Sequence, residues 1–105
     1  MSSKVNGSFT NPFKIINDDS DNIIVISAHK VPLKEAQDFV DGYVQLITLR
    51  NGTQVLMNED GRGRDGNALT PNLAATAMLK PEGVNMSKQG ILGNVLILKD
   101  SYRWN

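Results

Sequence analysis

Apolar residues cluster in short blocks separated by polar, glycine-bearing stretches, and two adjacent blocks carry the clearest pattern. Tyr43-Val44-Gln45-Leu46-Ile47-Thr48-Leu49-Arg50 and Thr53-Gln54-Val55-Leu56-Met57-Asn58 are both β-rich, and Asn51-Gly52 lies between them. Asn-Gly accepts the positive φ that a two-residue type I′ turn demands, so the spacing predicts a hairpin of 43–50 against 53–58. That turn pairs Arg50 with Thr53, Leu49 with Gln54, Thr48 with Val55, Ile47 with Leu56 and Leu46 with Met57. Alternation then places Val44, Leu46, Val55 and Met57 on one face and Tyr43, Ile47, Leu49 and Leu56 on the other. Neither face is cleanly polar, so each needs a cover.

Around the hairpin, Ile23-Ile24-Val25-Ile26-Ser27 reads as a buried strand. Pro32 stands at a first helical position, and Leu33, Ala36, Phe39 and Val40 follow at helical spacing, with Gly42 as the C-terminal cap. Residues 61–67 are loop. Thr70-Pro71 opens a second helix with Thr70 as N-cap; Leu73, Ala74, Ala77 and Met78 share a face, and Pro81-Glu82-Gly83 ends it. Residues 91–98 are the last strand. Residues 1–12 form a loose arm, Phe13, Ile15 and Ile16 allow a short strand, and the polar run 17–22 is a turn or exposed loop.

The order β-α-β-β-α-β defines an α+β fold: a small, mostly antiparallel sheet with two short helices and a central Asn-Gly hairpin. The chain divides into an N-terminal arm and polar loop (1–22), one domain (23–99) and a C-terminal tail (100–105). Two short helices can cover at most one face of a four-stranded sheet, so the second apolar face is expected to lack a cover within this chain. A homo-oligomer is then expected, a dimer first, using Val44, Leu46, Val55 and Met57, with Tyr102 and Trp104 of the aromatic-basic tail as further anchors. The rival expectation is that the N-terminal arm and Trp104 fold back over that face.

Eleven basic and eleven acidic side chains cancel, which argues against general nucleic-acid binding. There is no cysteine, hence no disulfide framework, thiol nucleophile or thiolate metal site. No stretch is long and apolar enough to span a bilayer, and residues 1–8 lack a signal-peptide pattern, so a cytoplasmic protein with no membrane association is expected.

Candidate chemistry concentrates at Asn58–Asn67, where Gly61-Arg62-Gly63-Arg64-Asp65-Gly66 alternates glycine and charge. Glycines let backbone N–H groups approach an anion, and arginine grips phosphate with two bonds. With the helix start that follows, the candidate ligand residues are Asn58, Glu59, Arg62, Arg64, Asn67, Thr70 and Asn72. The competing readings are a solvated loop with paired Arg and Asp, and simple helix capping. The 61–67 loop is expected to be mobile until a ligand binds. His29 is the only histidine and has no local partner for acid-base work. Ser27, Ser87 and Ser101 sit in no nucleophile motif. The acidic run 17–22 lacks the glycine and distal glutamate of a calcium loop. No catalytic residue, cofactor or metal site is expected.

Four ordered segments, Gly42-Tyr43-Val44, Asn58-Glu59-Asp60-Gly61, Pro71-Asn72 leading into Ala75-Thr76-Ala77, and Gly93-Asn94-Val95-Leu96-Ile97, resemble a domain-of-unknown-function family of bacteriophages, other large viruses and some bacteria. The match covers roughly residues 23–99, and Gly93-Asn94 departs from the Gly-Asp or Gly-Thr usual there. The resemblance implies a phage or viral accessory protein and carries over no established activity. Together with the absence of catalytic motifs it leads to the expectation of a non-enzymatic protein that acts in the host cytoplasm by binding a host factor, in host takeover or counter-defence. The alternatives are an oligomeric sponge for a nucleotide-like or other small anion and, third, an enzyme.

Overall fold

The computed structural model describes residues 22–104 and, as backbone, residues 13–16. Five strands, β1 (Phe13–Ile16), β2 (Ile23–Ile26), β3 (Val44–Thr48), β4 (Gln54–Asn58) and β5 (Val95–Leu98), form one sheet in the order β1-β2-β5-β4-β3. Only β2 and β5 run parallel; the other neighbours are antiparallel. The α+β class and the order of elements agree with the sequence pattern, with β1 added ahead of it as the short strand that Phe13, Ile15 and Ile16 allowed. The rest of the N-terminal arm and most of the acidic run lie outside the described residues.

The middle of the sheet, β2, β5 and β4, is covered on both faces, which corrects the expectation of an open side; β3 at the edge stays partly exposed. Helix α1 (Leu33–Val40) packs Ala36, Phe39 and Val40 onto Val25, Leu56, Leu96 and Leu98. Helix α2 (Leu73–Leu79) packs Ala75 and Leu79 onto Ile24, Val55, Val95 and Ile97 from the opposite side. Continuous apolar runs in β2, β4 and β5 follow from this double cover, because every side chain meets a core. All five residues of β4 are buried.

The hairpin forms, but its register is shifted by one residue. Val44 pairs with Asn58, Leu46 with Leu56, Ile47 with Val55 and Thr48 with Gln54. The Gly52 N–H donates to the Leu49 carbonyl at 2.9 Å, and the Leu49 N–H to the Thr53 carbonyl at 2.8 Å. Gly52 has φ 89°, whereas Asn51 does not enter the positive-φ region. The loop is therefore three residues, a tight turn followed by a left-handed glycine, rather than a two-residue type I′ turn. One slip exchanges faces between the strands. Val55 and Met57 lie under α2 and are buried within the chain, while Val44 and Leu46 face the α1 side. The four residues expected to share an interface thus sit on two faces.

Both helix boundaries move slightly. Helix α1 ends with Asp41 in the left-handed region (φ 64°), and the Gly42 N–H reaches back to the Gln37 carbonyl at 3.1 Å. Glycine is needed one place later because a Cβ at 42 would lie 2.7 Å from Nδ2 of Asn58 and 3.2 Å from the Arg62 carbonyl. Helix α2 is capped by Asn72, not Thr70: its side chain accepts from the Ala75 N–H at 3.0 Å. The later start rotates the buried face to Asn72, Ala75 and Leu79, leaving Leu73 and Met78 exposed.

The C-terminal tail folds back onto the core through Trp104. Trp104 packs against the α1-side cluster and donates from Nε1 to the Val31 carbonyl at 2.8 Å. This agrees with a folded-back Trp104 rather than a free anchor.

Candidate functional site

The site is built outward from Asn58, the last residue of β4, which is buried. Its Oδ1 accepts from the backbone N–H groups of Asp60 (3.1 Å), Gly61 (2.8 Å) and Arg62 (3.2 Å). Its Nδ2 donates to the carbonyls of Arg62 (2.8 Å) and Val40 (3.1 Å). One amide thus folds the chain back on itself after β4 and ties that turn to the end of α1. Such side-chain bonds substitute for backbone pairing where the strand stops.

Beyond it, residues 61–69 form a small hairpin. Arg62 bridges to Ala68, the Gly63 N–H donates to the Asn67 carbonyl at 2.9 Å, and the Leu69 N–H to the Gly61 carbonyl at 2.8 Å. The arginines are anchored: Nη1 of Arg62 donates to the Gly66 carbonyl at 3.1 Å, and Nη1 of Arg64 to Oδ1 of Asp38 at 2.9 Å. The segment expected to be a loose anion loop is therefore a hydrogen-bonded hairpin pinned to α1. Lys34 adds a second cation to Asp38 at 3.4 Å. The hydrogen bond from Arg64 above all holds the Asp38 carboxyl below the ordinary aspartate range; desolvation opposes it, and Lys34 adds to the lowering.

Between this hairpin, the end of α1 and the start of β3 lies a cleft of about 390 Å³, walled by Gln37, Tyr43, Asp60, Arg62 and Arg64. Tyr43 is 70% exposed. The cleft therefore combines a phenol ring, two guanidinium groups, a carboxylate and an amide on a frame fixed by Asn58.

Of the candidate ligand residues, only Arg62 and Arg64 line this cleft. Glu59 and Asn67 are exposed outside its wall; the Asn67 side chain bonds Asp65 at 3.2 Å. Thr70 is exposed, and its carbonyl and hydroxyl oxygens both accept from Asn22, at 2.8 and 2.9 Å. Asn72 is fully buried and donates to the Gly93 carbonyl at 2.8 Å. Asn58 and Asn72 are structural clamps. Gln37 and Tyr43 were not legible as site residues, because their convergence depends on where α1 ends.

A second polar group gathers near the loop between β2 and α1. His29 has a partner after all: Nε2 lies 2.9 Å from Oε2 of Glu35 in the first turn of α1. Ser27 is adjacent but buried, and its hydroxyl donates to the His29 backbone carbonyl at 2.7 Å rather than to the ring. The three side chains do not form the nucleophile-base relay that hydrolysis requires. Among the described residues no cluster of three metal-ligating side chains occurs, and no helix is long and apolar enough to cross a membrane.

Comparison with protein-family models, curated proteins and solved structures returns no match. The viral resemblance rests on its motif residues, and three of these are buried asparagines that clamp backbone: Asn58, Asn72 and Asn94. Asn94 accepts from the Ile23 N–H at 2.9 Å and donates to the Phe39 carbonyl at 3.1 Å. In this chain those motifs mark joints of the fold.

Proposed function

We propose that this chain is a small non-enzymatic accessory protein that binds a protein partner through the surface around Tyr43. The observation that carries the reading is a 70% exposed tyrosine at a cleft walled by Arg62 and Arg64. Tyrosine and arginine dominate the energetic centres of protein interfaces. Here their frame is already fixed by Asn58 and by the Arg64–Asp38 pair, so little ordering entropy opposes association. The motif resemblance supports a viral origin, with a host factor as the partner and the host cytoplasm as the place of action in host takeover or counter-defence.

Immobilised protein and its Tyr43→Ala variant, exposed in parallel to host lysate, test this. A host protein retained by the parent and weakened by the variant roughly 30-fold, as expected for a contact worth about 2 kcal/mol, supports the reading. Equal retention by both sinks this surface as the contact.

A second reading is capture of a nucleotide-like anion by the same two arginines. Asp60 in the wall and Asp38 on Arg64 offset their charge and weigh against it. Thermal stabilisation by nucleotides that disappears in Arg62→Ala/Arg64→Ala would favour it over the protein partner.

A further inference from the structure

We propose that β3 is a self-pairing edge: two copies of the chain join antiparallel along it, extending the sheet across a two-fold axis at Leu46. This does not depend on the reading of the cleft, and it replaces an interface across an open sheet face, which the double cover by α1 and α2 removes.

The backbone dictates the register. Among the described residues no strand lies beyond β3. Leu49 donates to the Thr53 carbonyl and accepts from the Gly52 N–H, and the Tyr43 carbonyl accepts from the Glu59 N–H at 2.9 Å, so odd-numbered residues direct their polar groups inward, toward β4. Val44, Leu46 and Thr48 therefore aim N–H and C=O groups at the open edge. An antiparallel pair centred on Leu46 sets Leu46 against its own copy and Val44 against Thr48 of the second copy. Each of these is a doubly bonded pair, so every outward group is used. A centre at Gln45 or Ile47 leaves one of the three residues without a partner.

The side chains support the same arrangement. From Gly42 to Leu49 the chain carries no charge and no proline, the devices by which exposed edges normally avoid one another. Leu46 is 40% exposed on this strand, and the two-fold axis stacks it on its own copy. The charges that flank the run are opposite, Asp41 before it and Arg50 after it. Antiparallel pairing about Leu46 brings Arg50 of the second copy abreast of Gly42, next to Asp41 and the rim of the Tyr43 cleft. The arrangement is thus complementary in charge as well as in hydrogen bonding.

Light scattering at about 100 μM and an engineered crosslink test it. The parent should show close to twice 11.5 kDa, and Leu46→Lys, which sets two ammonium groups face to face, should return it to 11.5 kDa. Arg50→Glu should weaken the dimer about tenfold by turning attraction into repulsion. The chain has no cysteine, so Leu46→Cys provides a clean probe. Paired residues of this type have Cα atoms about 5.5 Å apart, within disulfide range. It should crosslink at least tenfold faster than Leu33→Cys, which is exposed on α1. A parent mass of 11.5 kDa, a dimer unaffected by Leu46→Lys, or equal crosslinking by the two cysteine variants would each overturn the proposal. If Leu46→Lys does not fold, the crosslinking comparison decides.

Discussion

Trp104 and Gln54 are locked by reciprocal hydrogen bonds: the Gln54 side chain accepts from the Trp104 backbone N–H and donates to the Trp104 carbonyl at 2.7 Å. Gln54 is buried in β4, so its amide holds the tail beside the sheet as a neighbouring strand would. The indole ring then closes over the α1-side core. Trp104→Ala should cost about 2–4 kcal/mol, below the full range for a buried aromatic because the ring is only half-buried. Trp104→Phe keeps most of the packing and loses the bond to Val31, about 1 kcal/mol. Urea unfolding followed by circular dichroism measures both; a cost under 0.5 kcal/mol for Trp104→Ala would show that the tail is not part of the folding unit.

The buried asparagines make a sharper prediction. Asn72→Ala removes the α2 cap and leaves the Gly93 carbonyl without that donor, and Asn58→Ala strips the acceptor shared by three backbone N–H groups. Each should destabilise by about 2–3 kcal/mol, whereas exposed Asn67→Ala should change stability by less than about 1 kcal/mol. Asn58→Asp preserves the acceptor but loses the Nδ2 donor to Arg62 and Val40, so it should not rescue. Thermal unfolding at neutral pH ranks the four variants.

Those same asparagines show how far the sequence could be read. Continuous apolar runs located β2 and β5, the β-rich runs about Asn51-Gly52 located β3 and β4, and helical spacing located both helices, though the face expected for α2 is not the buried one. The turn after β3 reads as a two-residue loop, but Asn51-Gly52 fits a three-residue loop equally well, and that is the one formed. A slip of one residue there moved Val55 and Met57 to the opposite face from Val44 and Leu46. The helix cap at Asn72 was masked by Thr70-Pro71, an equally good local signal that tertiary contacts with Asn22 and Leu92 place in the preceding loop. For the site, Arg62 and Arg64 stood out by composition. Tyr43 did not, because exposure of one strand residue depends on which strand lies at the edge. His29 looked unpaired because Glu35 meets it only after the turn into α1.

The Arg64–Asp38 pair predicts a direction with pH. Asp38 has a folded-state pKa below its unfolded value, so its contribution to stability is fully present above about pH 4 and is lost as pH falls through the lowered folded value. Both partners are substantially exposed, so added salt should shrink the effect. Asp38→Asn should therefore make the acid limb of the stability curve shallower, with only a small loss at neutral pH because the pair is exposed. Denaturant midpoints between pH 2 and pH 7 for parent and variant test this. An unchanged acid limb in Asp38→Asn would show that the pair contributes nothing to linkage.

The shifted hairpin can be tested at Asn51 and Gly52. In a type I′ turn both central residues need positive φ, so substitution by alanine would strain both positions. In the three-residue loop only Gly52 is left-handed, and Asn51 acts through its side chain, whose Oδ1 accepts from the Thr53 N–H at 3.0 Å. Gly52→Ala should thus cost about 1–2 kcal/mol, from forcing a Cβ into that region. The new methyl would also meet Nη1 of Arg103 at 2.7 Å, displacing a flexible guanidinium that bonds the Gly52 carbonyl at 3.3 Å. Asn51→Ala loses one exposed bond and should cost about 0.5 kcal/mol. The ratio of these two costs separates the loops without reference to any contact in the core. A direct check is the cross-strand Hα pattern in solution: the observed register pairs Leu46 with Leu56 and Ile47 with Val55. Contacts pairing Leu46 with Met57 instead, together with equal costs at Asn51 and Gly52, would restore the two-residue turn and return Val55 and Met57 to the face of Val44.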